Sequence, residues 1–145
     1  MGKIVISYQS FTGSCKALAE SAAEGVGQAG GKALVKNITE TGAGDLADAD
    51  AFILVTTQPF QSLAGDTKKF FENIWPAREE IKKGLTFAAV ICHANETDDS
   101  AAVLDKFATY LGWKKFGDWV LAAPAELEKG KISARQLGIA VAQGG

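Results

Sequence analysis

The chain has 145 residues, 47% of them apolar and 22% charged, which suits one soluble globular domain over 1–145 with a sizeable core. With 17 acidic and 15 basic residues the formal charge is −2, so there is no basic excess to attract a nucleic acid. No apolar stretch approaches a membrane span, and Met1-Gly2-Lys3 runs straight into a strand pattern with no room for a signal peptide, so a cytoplasmic location is expected.

Taken in chain order, strand and helix patterns alternate. The apolar run Ile4-Val5-Ile6-Ser7-Tyr8 reads as the first strand, and Cys15, Leu18, Ala19, Ala22, Ala23 and Val26 recur at the spacing of one helix face. Ala33-Leu34-Val35, after Gly30-Gly31, reads as a second strand, and the wholly apolar-to-threonine run Ala51 to Thr56 as a central third. A helix is predicted from Asp66 to Trp75, with Phe70, Phe71 and Ile74 inward and a break at Pro76. Thr86 to Cys92 is the fourth strand. A helix over Ser100 to Leu111 buries Val103, Leu104, Phe107 and Leu111. Phe116 to Ala122 reads as a fifth strand flanked by Trp113 and Trp119, which fit a sheet edge better than a ligand contact. The last helix, Glu128 to Ala142, carries only a thin apolar stripe of Ala134, Leu137 and Val141. Five strands separated by helices predict a doubly wound α/β domain: a five-stranded parallel sheet of order 2-1-3-4-5 with helices on both faces. Ligands in that architecture bind at the carboxyl ends of the strands, near the switch point between the first and third.

The loop at that switch point is Ser10-Phe11-Thr12-Gly13-Ser14. A strand that passes into a helix through small and hydroxylated residues presents backbone N–H groups and the positive end of a helix dipole to an anion. There is neither a Gly-Lys-Ser/Thr ending nor a run of three spaced glycines, which excludes the nucleoside triphosphate and dinucleotide loops. Hydroxyl and amide donors without an obligatory Lys or Arg suit a single terminal phosphate monoester.

On these residues the chain resembles the flavodoxin family, whose phosphate loop reads roughly Thr/Ser-x-Thr-Gly-Asn-Thr after an aromatic residue closing the first strand. Tyr8, Ser10, Thr12 and Gly13 match, Ser14 and Cys15 match less closely, and Ala19 on the following helix also fits. Cys15 departs from the pattern, because a thiol is a weaker donor than the usual hydroxyl. The resemblance implies an FMN cofactor with its phosphate on Ser10, Phe11, Thr12, Gly13, Ser14 and Cys15. It further implies flavin-ring contacts from the loop that begins Thr56-Thr57-Gln58-Pro59-Phe60-Gln61, with Phe60 as a stacking candidate, and from His93-Ala94-Asn95. Lys68-Lys69-Phe70-Phe71-Glu72 is similar to the segment that follows this loop in flavodoxin-like reductases. The loop after the fourth strand lacks the tyrosine that often covers the outer flavin face; His93 and the acidic Glu96, Asp98 and Asp99 would instead set the charge near the ring.

Each residue also has a plainer role. Cys15 lies on the apolar stripe and is expected in the core, as is Cys92; two cysteines make no disulfide framework. Phe60 can anchor its own loop, and His93 can be a solvated loop residue. Asp45, Asp48 and Asp50 look like a metal cluster but fit a solvated turn, and a single histidine without paired cysteines gives no zinc site. A phosphoacceptor receiver domain is excluded, since the first and third strands end in Ser7-Tyr8 and Val55-Thr56-Thr57 rather than in acids. The leading reading is an FMN-binding electron carrier between protein partners, a monomer or weak homodimer without catalytic residues of its own. A small FMN-dependent NAD(P)H or quinone reductase and an interaction module without cofactor are the alternatives.

Overall fold

Burial on both faces explains why the three central strands are continuous apolar runs. The structure, a computed structural model, describes residues 2–9, 13–57, 64–92, 99–123 and 125–144, with Asp99 by its backbone alone. Strands β1 (Lys3–Tyr8), β2 (Lys32–Asn37), β3 (Ala51–Thr57), β4 (Thr86–Cys92), β5 (Lys114–Lys115) and β6 (Val120–Ala122) form one parallel sheet. The order is β2-β1-β3-β4-β5, with β6 also pairing β4. Helices α1 (Ser14–Gln28), α2 (Ala43–Leu46), α3 (Gly65–Ile74), α4 (Asp99–Leu111) and α5 (Leu127–Gly144) cover it.

The expected topology holds, with one correction at its edge. The predicted strand Phe116–Ala122 is two short strands, and they bracket a turn at Gly117, whose φ of 65° is left-handed and cannot continue a strand. The first piece begins earlier, at Lys114, so the sheet has six strands rather than five. Strand β2 runs longer than its apolar centre, because its outer residues Lys32 and Lys36 lie on the sheet edge. Helix α3 ends at Ile74 and tightens into a 3-10 turn over Trp75–Glu80, since Pro76 offers no N–H to continue the ladder.

Alternation along the strands sends two cores to opposite faces. On one face Val5, Phe52, Leu54, Phe87, Ala89 and Ile91 pack under α3 and α4, and on the other Ile4, Ile6, Ile53, Val55, Val90 and Cys92 pack under α1 and α5. The first is an aromatic cluster: Phe87 lies 5.2 Å from Trp113 and 5.3 Å from Trp119 between ring centroids. Both tryptophans are buried, and Trp119 Nε1 donates to Asp105 Oδ1 at 3.1 Å. The second face is built from small residues, which bring α1 and α5 together.

The three aspartates before β3 are each engaged by lysine. Lys3 Nζ reaches Asp48 at 2.8 Å, Lys36 Nζ reaches Asp45 at 3.2 Å, and Lys82 Nζ stands 3.8 Å from Asp50. Asp50 also accepts the Lys3 backbone N–H at 2.9 Å, fixing the entry to β3 against the start of β1. Burial alone would push Asp45 up, but the Gly42 N–H and the Lys36 ammonium outweigh it and hold the carboxyl below its usual range. Among the described residues no cluster of His, Cys, Asp or Glu is placed to hold a metal ion.

Candidate functional site

The carboxyl ends of β1, β3 and β4 lie side by side, with Tyr8 in register with Val55 and Thr57 in register with Cys92. Strands β2 and β4 leave from opposite sides of the β1–β3 pair, so this is the switch point of the sheet. Of the residues singled out from the sequence, Gly13, Ser14, Cys15, Thr56 and Thr57 are described here. Ser10, Phe11, Thr12, Gln58, Pro59, Phe60, Gln61, His93, Ala94 and Asn95 lie outside the described residues, as do the side chains of Glu96, Asp98 and Asp99.

Gly13 caps α1 with φ 93° and ψ −12°. A residue bearing a side chain enters that left-handed region at a cost of about 1–2 kcal/mol, so glycine is the residue that lets the chain turn from loop to helix here. Among the described residues nothing lies within 4 Å of where a Cβ would stand, and the residue is exposed. The first bond of the helix runs from Ala17 N–H to the Gly13 carbonyl at 3.1 Å. The N–H groups of Cys15 and Lys16 therefore have no earlier carbonyl within the helix and stand at its positive end. This is a helix N-terminus at the switch point, with backbone donors of the kind that fit a phosphate monoester.

Cys15 has a different place from the one proposed for it as a phosphate donor. Its side chain is 1% exposed, packed in the α1–α5 core, and its Sγ donates to Cys92 Sγ at 2.8 Å. Only the backbone of Cys15 faces the helix end. Helical periodicity carried that signal, since Cys15 shares the stripe of Leu18 and Ala19. Cys15→Thr is accordingly expected to lower stability by about 1–3 kcal/mol, because a hydroxyl and a methyl would enter a dry core beside a poor hydrogen-bond partner. Urea unfolding checks this, and a variant as stable as the parent would mean that the side chain turns outward.

Thr56 and Thr57 are buried, and their hydroxyls are committed within the protein. Thr56 Oγ1 shares a 2.8 Å hydrogen bond with Thr67 Oγ1 on α3, and Thr57 Oγ1 donates to Gln9 Oε1 at 2.6 Å. Gln9 also donates its backbone N–H to the Val55 carbonyl at 2.9 Å and is itself 5% exposed. Gln9 thus ties the end of β1 to the end of β3, directly before the loop that leads to Gly13. Sequence reasoning passed over Gln9 and Thr67. Gln9 stands at the first unspecified step after Tyr8, and only its pairing with a strand-end threonine marks it. Away from this end, an apolar hollow of about 320 Å³ opens between the last turns of α3 and α4, lined by Phe71, Trp75, Phe107 and Tyr110.

No protein-family model matches the chain, and no curated protein matches it in sequence. Solved structures match its fold closely. A flavodoxin from the domain Archaea superposes with a TM-score of 0.82 at 18% identity, over 97% of this chain and 96% of that one. The two-electron reduced flavodoxin of Megasphaera elsdenii gives 0.80 at 20% identity, over 97% and 98%. A flavodoxin-type WrbA-like protein from Agrobacterium tumefaciens gives 0.81 at 20% identity, over 99% and 96%. The likeness spans both chains from end to end and includes the strand order. In fold, this chain is flavodoxin-like.

Proposed function

We propose that the chain binds one FMN non-covalently at the switch point and serves as an electron carrier between protein partners, as a monomer or weak homodimer. The observation that carries this reading is the N-terminus of α1, turned by the left-handed Gly13 after β1 at the switch point beside the end of β3. Flavodoxin-like architecture favours a flavin over other phosphate esters. When bound, FMN supplies the one- and two-electron chemistry of its ring.

The chain's own residues bind and orient. Backbone N–H groups at the start of α1 receive the phosphate, and the bare Gly13 lets it approach the main chain. The hydroxyls of Ser10, Thr12 and Ser14 add side-chain donors, and residues 56–61 and 93–95 border the ring. The bond between Gln9 and Thr57 fixes the two strand ends from which the first two loops depart, so the phosphate and ring ends of the site keep their spacing. No acid, base or nucleophile of the protein is needed for electron transfer.

Titration with FMN should quench flavin fluorescence saturably at one equivalent. Riboflavin, which lacks the phosphate, should bind roughly 100-fold more weakly, the ~3 kcal/mol expected of two hydrogen bonds to a charged group. Equal affinity for the two would take the phosphate off α1, and no saturable binding of either would leave the cofactor-free interaction module as the better reading.

A further inference from the structure

We propose that Cys15 and Cys92 form a thiol–disulfide pair, closed by a hydroperoxide-class oxidant, that clamps the start of α1 to the end of β4. The two are 77 residues apart in sequence, yet their sulfurs are 2.8 Å apart and aimed at each other inside one core cluster. A disulfide has an S–S distance of about 2.05 Å, so closure shortens the 2.8 Å gap between the sulfurs by less than an ångström. Both residues are free thiols here and both are buried.

The neighbourhood restricts what the pair can do. Among the described residues the side chains around it are apolar: Leu18, Ala19, Ile6, Val90 and Ala122, with no carboxylate or ammonium in the cluster. The hydrogen-bonded contact with Cys15, together with burial, pushes the Cys92 thiol up and holds it protonated. Cys15 is in the first turn of α1 and is the sulfur placed to meet the oxidant first, with Cys92 behind it at the end of β4. Cys92 is the last residue of β4, and its register partner Ala122 lines a polar cavity of about 310 Å³ that also includes Glu126, Lys129 and Ser133.

The Cys15 sulfur attacks one peroxide oxygen, the O–O bond breaks, and the departing hydroxide takes the Cys15 proton to leave as water. Cys15 is then a sulfenic acid. The Cys92 sulfur attacks the Cys15 sulfur, the S–S bond forms, and the S–O bond breaks. The second water leaves with the Cys92 proton. Two thiols have lost two electrons, and the peroxide has gained them. Because one sulfur hangs from the helix turn at Gly13 and the other from the start of the loop after β4, the bond fixes two of the three elements that border the candidate site.

The test treats the full chain with hydrogen peroxide and follows intact mass and thermal unfolding; it needs no cofactor, so its outcome is separate from that of the flavin titration. The expected result is a loss of two hydrogens per chain, reversed by dithiothreitol, with a peptide that links Cys15 to Cys92. The unfolding midpoint should rise by roughly 5–15 °C, as expected for closing a long loop in a chain of this size. Cys92→Ala and Cys15→Ala should each abolish both the mass loss and the rise. Thiols that stay fully titratable after prolonged exposure, sulfinic acid at either position, or linkage between chains instead of within one would each overturn the proposal.

Discussion

Gly138→Ala is expected to destabilise the protein by roughly 3 kcal/mol or more, although the same change in an unconstrained helix gains up to about 1 kcal/mol. The reason is the approach of α1 to α5. A Cβ on Gly138 would strike the backbone carbonyl of Ala22 on α1, and a Cβ on Gly25 would strike the backbone carbonyl of Arg135 on α5. The contacts are reciprocal, each helix offering a glycine to the other's main chain. The struck atoms are backbone, so no side chain can swing aside, and the helices must separate along the seam that buries Ala22, Val26, Ala134 and Val141.

Gly27, on α1 with Gly25, supplies the control. A Cβ there meets nothing within 4 Å, so Gly27→Ala should be neutral to stabilising by up to about 1 kcal/mol. Opposite signs for one substitution at two sites of a single pair of helices separate packing from propensity. Gly25→Ala should resemble Gly138→Ala, and the double variant should cost less than the sum, because the first methyl already forces the helices apart. Urea unfolding of the four proteins measures all of this. A stabilised Gly138→Ala would mean that α1 and α5 do not pack through these glycines.

This seam also shows where the sequence was legible and where it was not. The stripe Ala134, Leu137 and Val141 marks α5 but looks too thin to hold a helix on a sheet. It is thin because close backbones leave no room for large side chains, and Gly25 and Gly138 carry no periodic signal of their own. Strands β3 and β4 were readable because burial on both faces leaves only apolar residues and threonines along them, and β1 because Ile4, Val5 and Ile6 form an unbroken apolar run. The edge was not, since Lys114 and Lys115 are exposed strand residues and Gly117 interrupts the run. The four residues of α2 are too few to show a helical period. At the site, the place of the loop at the switch point followed from the strand–loop–helix order, whereas Gly13 was singled out by its match to the flavodoxin loop and its left-handed turn is seen only in the structure. The direction of Cys15 followed from its helical phase and not from its place in the phosphate motif. The hydroxyls of Thr56 and Thr57 point to partners on other elements, Thr67 and Gln9, and a linear motif holds no information about that pairing.

Phe52→Ala should lower stability by about 3–5 kcal/mol, a large share of the 5–15 kcal/mol typical of a domain. Phe52 is fully buried near the start of the central strand β3 and pairs across the sheet with Phe87. Its ring centroid is 5.7 Å from Phe87 in a stacked arrangement, 5.5 Å from Phe70, and 5.9 Å from Trp113 edge-on. Removing it takes one ring from three aromatic contacts and leaves a cavity that the rigid central strands cannot close. Loss of the transfer energy and the unfilled space act together, which puts the cost above that of an aliphatic truncation. Phe107→Ala is the comparison: Phe107 stacks on Phe71 at 4.3 Å but is half-buried on the rim of the hollow between α3 and α4. Water and neighbouring side chains can fill the space it leaves, so its cost should be below about 3 kcal/mol. The midpoint of thermal unfolding should fall by roughly 10 °C for Phe52→Ala, at the 2–4 °C per kcal/mol of chains this long. Equal losses for the two variants would mean that the aromatic cluster is not centred on the β3–β4 pair.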